Sequence, residues 1–274
     1  MLCIIAYFIM KETILNYTEN KSGCTIASLD AEKAFDKVWR DGLFFKLMDK
    51  LEPAHWVILK KYYDLSKGVI TLSDFSLSEL IEINCGVKQG GILSPFLFNV
   101  YINNLIEECI DARVGALIGN LNVSIIVYAD DILLMSPIDS HLRILLNICS
   151  NYGNLWRIKF NPLKSNIIEF GPKKNPNNSF LLNGLPLVKT NKIKYLGVEI
   201  ESQLDFDLSA LNKFKSVQKS IFSLTFLGLK PLGVSPMLQS FLYKTYCLSQ
   251  FTYALETSTL KKKLVNILIF AKII

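Results

Sequence analysis

The chain has 274 residues, 50% hydrophobic and 20% charged, which suits a globular chain able to bury a substantial core in one or two domains and excludes a disordered one. Its formal net charge of +6 hides an asymmetry: residues 1–150 carry 13 basic and 18 acidic side chains, and residues 151–274 carry 17 and 6. A basic half favours phosphate backbones through counterion release, the bland alternative being a solvated lysine-rich surface.

Met1 to Met10 is apolar but short, with no basic start and no small-residue cleavage site, so a secretory signal is not expected. Residues 7–19 read as a helix and Cys24 to Leu29 as a buried strand, with Asp30 at its C-terminal end. Asp41 can cap a helix carrying Leu43, Phe44, Leu47, Met48 and Leu51 at helical spacing. A further helix is expected over 54–65, and a strand pair over 69–73 and 79–84. Gly86 to Asn99 is a Gly-rich loop leading into a helix, its start signalled by Ser94 and by Pro95 at the first helical position. Phe96, Leu97, Val100 and Leu105 make that helix's apolar stripe, which runs to about Asp111. Val123 to Val127 and Ile132 to Met135 are short apolar runs that read as two strands of a hairpin. Asp139 or Ser140 starts a helix that Gly153 can close, and Asn166 to Phe170 reads as another strand. Asn183-Gly184 is a two-residue hairpin turn. From Asp205 the pattern is helical (Leu208, Leu211, Phe214, Val217, Ile221), and Pro231 and Pro236 mark a break before a last helix at about 236–248. The apolar tail Leu264 to Ile274 is broken by Lys272 and too short to span a bilayer.

The richest chemistry lies in Tyr128-Ala129-Asp130-Asp131, where two adjacent acids fall at the tip of the hairpin. Burying unpaired charge there costs on the order of several kcal/mol, and a divalent cation held by hard oxygen ligands would offset it. A solvated turn is the alternative, since Asp is a common turn residue. The Gly-rich loop lets backbone approach a ligand closely, with polar Gln89 at hand. Cys3, Cys24, Cys85, Cys109, Cys149 and Cys247 form no Cys-x-x-Cys pair, and only His55 and His141 could join them, so a zinc site is poorly supplied. Reduced, structural cysteines in an intracellular protein are expected.

Taken in order, these segments resemble the motifs of a reverse transcriptase palm of LINE-like (non-LTR, jockey-like) retrotransposons, over roughly residues 24–200. Asp30 matches the first metal-binding aspartate, 86–99 the template- and nucleotide-positioning loop, and Tyr128 to Asp131 the Y-x-D-D box. Ile158-Lys159-Phe160-Asn161-Pro162-Leu163-Lys164-Ser165 resembles the next motif, and Lys194-Tyr195-Leu196-Gly197-Val198 the primer grip.

The resemblance implies an α+β fold. Residues 1–203 would form a polymerase palm, a ferredoxin-like split βαβ with a catalytic hairpin. Residues 204–274 would form a truncated helical thumb. It implies an RNA-directed DNA polymerase working on an RNA template, a DNA primer and dNTPs, with two Mg²⁺ ions (Mn²⁺ as a substitute) about 3.5–4 Å apart. Asp30, Asp130, Asp131 and the Ala31 carbonyl would be the metal ligands. Phe35 would be the gate against a 2′-hydroxyl, with a core aromatic as the alternative. Gln89, Gly90, Gly91 and Tyr128 would line the nucleotide and template path. Lys164 would donate a proton to, or neutralise, the leaving pyrophosphate, a surface lysine being the alternative. Tyr195, Leu196 and Gly197 would shape the primer grip, a mere strand-to-turn position being the alternative for Leu196 and Gly197. No small-molecule cofactor and no membrane are expected, and nucleus or cytoplasm would be the compartment.

Only 29 residues precede Asp30, with Lys11 and Lys21 their only basic side chains, so a fragment lacking the family's fingers region is expected. No endonuclease, RNase H or zinc-knuckle pattern accompanies it. A catalytically dead nucleic-acid-binding remnant is the alternative function. An RNA-dependent RNA polymerase is disfavoured by Tyr-Ala-Asp-Asp in place of Gly-Asp-Asp, and by the aromatic Phe35.

Overall fold

A computed structural model of the chain describes residues 2–71, 73, 76–172, 178–203, 206–226, 228 and 233–248, the side chains of Leu2 and 206–214 excepted. In order, the elements are α1 (Leu2–Glu19), β1 (Cys24–Asp30), α2 (Arg40–Leu47), α3 (Pro53–Asp64), β2 (Lys67–Gly68), β3 (Ile81–Glu82) and α4 (Ser94–Asp111). Then come β4 (Leu117–Ile118), β5 (Leu121–Asn122), β6 (Ile125–Tyr128), β7 (Asp131–Ser136), α5 (Asp139–Trp156), β8 (Asn166–Phe170), β9 (Leu181–Leu182) and β10 (Leu185–Pro186). The last are β11 (Val188–Lys189), β12 (Lys192–Tyr195), β13 (Val198–Glu201), α6 (Phe206–Phe226) and α7 (Pro236–Leu242), followed by a π-helical turn at Tyr243–Leu248. They fall into two compact units, Thr13–Thr190 and the described parts of Met1–Glu12 with Asn191–Ile274.

In the first unit the main sheet has the order β11-β8-β1-β7-β6. β1 lies between β7 and β8 and is antiparallel to both. That central place explains its composition: Cys24, Thr25, Ile26 and Ala27 are all buried, so both faces of the strand must be small or apolar. β7 is likewise buried from Ile132 to Ser136. Two long helices, α4 and α5, pack on each other and against the sheet. Their buried stripes, Leu97, Tyr101 and Leu105 on α4 and Leu142, Leu145, Leu146 and Cys149 on α5, share one core with Leu29, Ile132 and Leu134. Each fully buried Leu there contributes about 1.5–3 kcal/mol, and the result is a rigid frame that fixes where β1 and β7 end.

Several local expectations are corrected. α4 begins one residue earlier than its Pro suggested, with Leu93 as N-cap, and the Ser94 hydroxyl donates to the Lys88 carbonyl instead of capping the helix. Asp41 sits in the first turn of α2 behind the cap residue Trp39, where its charge still favours the helix N-terminus. Gly153 does not close α5, which runs on to Trp156 and ends at Arg157 in a left-handed conformation (φ 55°). A Cβ at Gly153 would lie 2.6 Å from the Ile158 carbonyl, so its role is close packing. The strands expected at 69–73 and 79–84 shrink to the two-residue pair β2–β3 and a Thr71–Leu77 bridge.

In the second unit β12 and β13 form a hairpin, Tyr195 opposite Val198, turned by Leu196 (φ 46°) and Gly197 (φ 78°). Two positive φ values in a two-residue loop match the right-handed strand twist. The helix expected over 236–248 is α7 followed by the π turn. Pro231, the Leu208, Leu211 and Phe214 side chains, Lys261–Lys263 and the tail Leu264–Ile274 lie outside the described residues. Among the described residues no helix is long and apolar enough to cross a membrane.

Candidate active site

β1 and β7 run antiparallel in a register that sets Asp30 opposite Asp131, although 101 positions separate them in the chain. Directly opposed residues of an antiparallel pair share a face, with Cα atoms about 4.5–5.5 Å apart. β6 and β7 are joined by the two-residue turn Ala129-Asp130 between Tyr128 and Asp131, which brings the third carboxylate to the same strand ends. Ala129 takes a left-handed conformation (φ 52°), which a side chain disfavours by about 1–2 kcal/mol. The hairpin tip is therefore strained as well as acidic.

The charges feel one another. Burial first, then the charges of Asp130 and Asp30, raise the Asp131 carboxyl above the ordinary aspartate value. Among the described residues, no three His, Cys, Asp or Glu side chains are grouped as a ready metal-ligand set. The acids thus meet by register and by field, and their carboxyl groups as placed do not close around one point. The donor chemistry nevertheless fits a hard divalent cation: three carboxylates with no basic side chain among the causes acting on Asp131.

The segment after α5 grips Asp30. Ala31 is buried and bridges Phe160, with the flanking hydrogen bonds running from Asn161 N–H to Asp30 O (2.9 Å) and from Glu32 N–H to Lys159 O (2.9 Å). The bridge itself therefore leaves the Ala31 carbonyl out of the ladder. Lys164 is exposed in the loop that follows, its N–H donating to Asn161 O (3.3 Å). Sequence reasoning missed Ser165, whose buried hydroxyl accepts from Asp30 N–H at 3.1 Å. The only signal was its place at the end of the Lys164 motif.

The Gly-rich loop is pinned to the turn after β1. Gly86 N–H donates to Val38 O and Val87 N–H to Phe35 O, both at 2.8 Å. Gly86 needs to be glycine: at φ 79° a Cβ would lie 2.5 Å from Asp36 O. Gly90 (φ 75°) faces open space, whereas Gly91 packs against Ser94 and Lys88. Gln89 donates through Nε2 to Asp36 Oδ1 at 2.7 Å, so its amide is engaged within the chain. Phe35 is half-buried and stacks on Phe98, ring centroids 4.9 Å apart, which supports the core reading for part of its surface. Arg40, also missed, is buried and donates to the carbonyls of Gly86 (3.0 Å), Tyr63 (2.9 Å) and Ile83, anchoring the base of the same loop. Tyr195 is buried, and Leu196 and Gly197 form the β12–β13 turn of the other unit.

A sheet with an acidic hairpin set against a central acidic strand, backed by two helices, is the mixed α/β palm of a polymerase. Residues 6–200 match the profile of the family described as reverse transcriptase (RNA-dependent DNA polymerase), and the chain belongs to that family. It is similar to the RNA-directed DNA polymerase from mobile element jockey of Drosophila funebris, 28% identical over 198 residues, covering 70% of this chain and 21% of that protein. It is also similar to the retrovirus-related Pol polyprotein from type-1 retrotransposable element R2 of Popillia japonica, 26% identical over 250 residues, covering 85% of this chain and 38% of that one. The chain spans about a fifth of the length of the jockey polymerases it matches. Among solved structures, apo telomerase from Candida tropicalis, truncated from its C-terminal domain, superposes with a TM-score of 0.52 at 14% identity, covering 73% of this chain and 39% of that one. Telomerase from Candida albicans in complex with a TWJ fragment of telomeric RNA gives 0.52 at 14%, covering 97% and 46%. At such identity the likeness is one of fold.

Proposed function

We propose that this chain is the palm of a retrotransposon's RNA-directed DNA polymerase, which adds deoxynucleotides to a primer 3′-hydroxyl on an RNA template. The observation that carries the reading is the meeting of Asp30, Asp130 and Asp131 at one end of the β1–β7 pair, within a chain of this family. The strand order, with β1, β6, β7 and β8 as its four main strands, supports a ferredoxin-like split βαβ palm. Residues 1–203 would be palm and 204–274 a partial thumb.

Asp30, Asp130 and Asp131, with the Ala31 carbonyl, would hold two Mg²⁺ ions, or Mn²⁺ in their place. Such ions supply charge stabilisation for an in-line phosphoryl transfer. The chain's own residues position the reactants. Gly90 gives an incoming nucleotide room against backbone, and Gly91 shapes the loop beside it. The exposed part of Phe35 would stand against a 2′-hydroxyl. Tyr128 would support the template path, Lys164 would meet the leaving pyrophosphate, and Tyr195, Leu196 and Gly197 would hold the primer end. Gln89 would reach a template only after releasing Asp36.

Primer extension on an RNA template, with dNTPs and Mg²⁺, tests the reading. The intact polymerase that contains this chain, the parent in this test, should extend, and Asp130→Asn should abolish extension while duplex binding remains, because the amide keeps the shape and is a poorer ligand for a hard cation. The 274-residue chain alone should bind the duplex and extend it poorly or not at all. Extension by Asp130→Asn within a few-fold of the parent would remove Asp130 from the ligand set. One observation favours a second reading, a nucleic-acid-binding remnant without turnover: the three carboxyl groups do not stand grouped as a ligand set. Duplex binding without extension by the parent would select it.

A further inference from the structure

The edge between β1 and β8 is interrupted at Asp30. Ser28 pairs with Asn166 and Ala31 bridges Phe160, so two residues of β1, Leu29 and Asp30, face five, Asn161 to Ser165. A regular ladder would give Asp30 a backbone partner on the neighbouring strand. Here the five-residue loop takes over both of its main-chain groups. Asn161 N–H donates to Asp30 O at 2.9 Å, and Asp30 N–H donates to Ser165 Oγ at 3.1 Å.

The loop is tied to itself around the same point. Ser165 Oγ donates to Asn161 O at 2.7 Å, Ser165 N–H donates to that carbonyl at 3.0 Å, and Leu163 N–H donates to Asn161 Oδ1 at 3.0 Å. Ser165 has no solvent exposure. Its hydroxyl is therefore a two-way link: it accepts from Asp30 and donates to the residue that holds Asp30 from the other side. No water replaces it cheaply in a closed position, and a buried N–H left without a partner costs about 1–3 kcal/mol.

We propose that Ser165 is the positioning residue of this site, its hydroxyl fixing the backbone of Asp30 so that the carboxylate is presented for a divalent cation. The proposal rests on the metal reading of the acidic cluster. It also gives the loop a second consequence, since Lys164 is carried on the same five residues and so takes its place from Asp30.

The test uses the 274-residue chain and Mn²⁺, with free Mn²⁺ followed by its paramagnetic resonance signal. Outer-shell partners of metal ligands are worth about 10–100-fold in affinity, so Ser165→Ala should bind Mn²⁺ at least about 10-fold more weakly. Ser165→Thr, which restores a hydroxyl, should recover most of that loss. Hydrogen exchange at the Asp30 amide, read without metal, should be slow in the parent and in Ser165→Thr and fast in Ser165→Ala. Thermal melts establish that each variant folds, and Ser165→Cys, close in size with a poorer acceptor, takes the place of the alanine variant should that one fail to fold. Unchanged Mn²⁺ affinity in a folded Ser165→Ala overturns the proposal, whether or not the amide exchanges faster. Asp130→Asn separates the two readings: if it binds Mn²⁺ as the parent does, or the parent binds none, the metal reading itself fails and takes this proposal with it.

Discussion

At the hairpin tip, the raised Asp131 pKa means that the folded chain holds this proton more tightly than the unfolded chain does. The stabilising contribution is present below the ordinary aspartate pKa and is lost as pH rises through the raised value. Above the raised value, without metal, Asp131 is thus a destabilising charge. Asp131→Asn should raise the melting temperature in EDTA above that value and flatten the pH dependence between the ordinary and the raised pKa. Thermal melts across that window check it, and a fall in melting temperature would show that the crowding is not felt. Beside it, Ala129 at φ 52° is an ordinary side chain in a conformation suited to glycine. Ala129→Gly relieves the strain but frees the unfolded chain, for a net gain of about 1 kcal/mol or less by denaturant titration.

The elements are locked by groups that lie far apart in the chain. Lys46 on α2 donates to the Tyr101 carbonyl on α4 at 2.8 Å and to the Tyr152 hydroxyl on α5, with its ammonium 3.7 Å from the centroid of the Trp156 ring. Burial lowers its pKa to about 8, partly opposed by Glu108 and Glu107. The unfolded chain therefore binds this proton more tightly, and stability gained from Lys46 rises as pH climbs from about 8 toward the ordinary lysine value. Lys46→Met should remove that rise, visible as a difference between the two melting-temperature profiles over alkaline pH. The end of α5 combines a left-handed cap at Arg157, with Ile158 N–H donating to Gly153 O at 2.9 Å, and a close contact at Gly153. Gly153→Ala drives a Cβ to 2.6 Å from the Ile158 carbonyl and should cost about 1–3 kcal/mol in chemical denaturation. A neutral outcome would mean that the α5 end yields easily.

For the whole molecule, the charge asymmetry predicts sequence-independent binding to a primer–template duplex that weakens steeply with salt. The salt slope should fall well short of the 17 basic side chains in residues 151–274. Lys159, Lys189 and Lys192 are already ion-paired with Glu32, Glu169 and Glu199. Filter binding over a salt series checks this, and salt-independent binding would show that the basic half is not the nucleic-acid track.

The acids of the site were legible from residues alone, because short β-branched runs ending in Asp30 and flanking Asp130-Asp131 specify buried strands whose ends must carry the carboxylates. The same local logic located α4, α5 and the Asn183-Gly184 turn between β9 and β10 to within a few residues. What no local pattern specified is pairing. Only the tertiary register sets Asp30 against Asp131, and only a loop of five residues against two turns Ser165 into its partner, 135 positions away. The Lys46 cage and the Phe35–Phe98 stack were hidden for the same reason, their partners lying 106 and 63 positions apart. Periodicity reports which face of an element is apolar, and Gly153 looked like a helix stop because a close approach and a helix end both ask for glycine. Which atoms meet across the core is decided by packing, which sequence spacing does not encode.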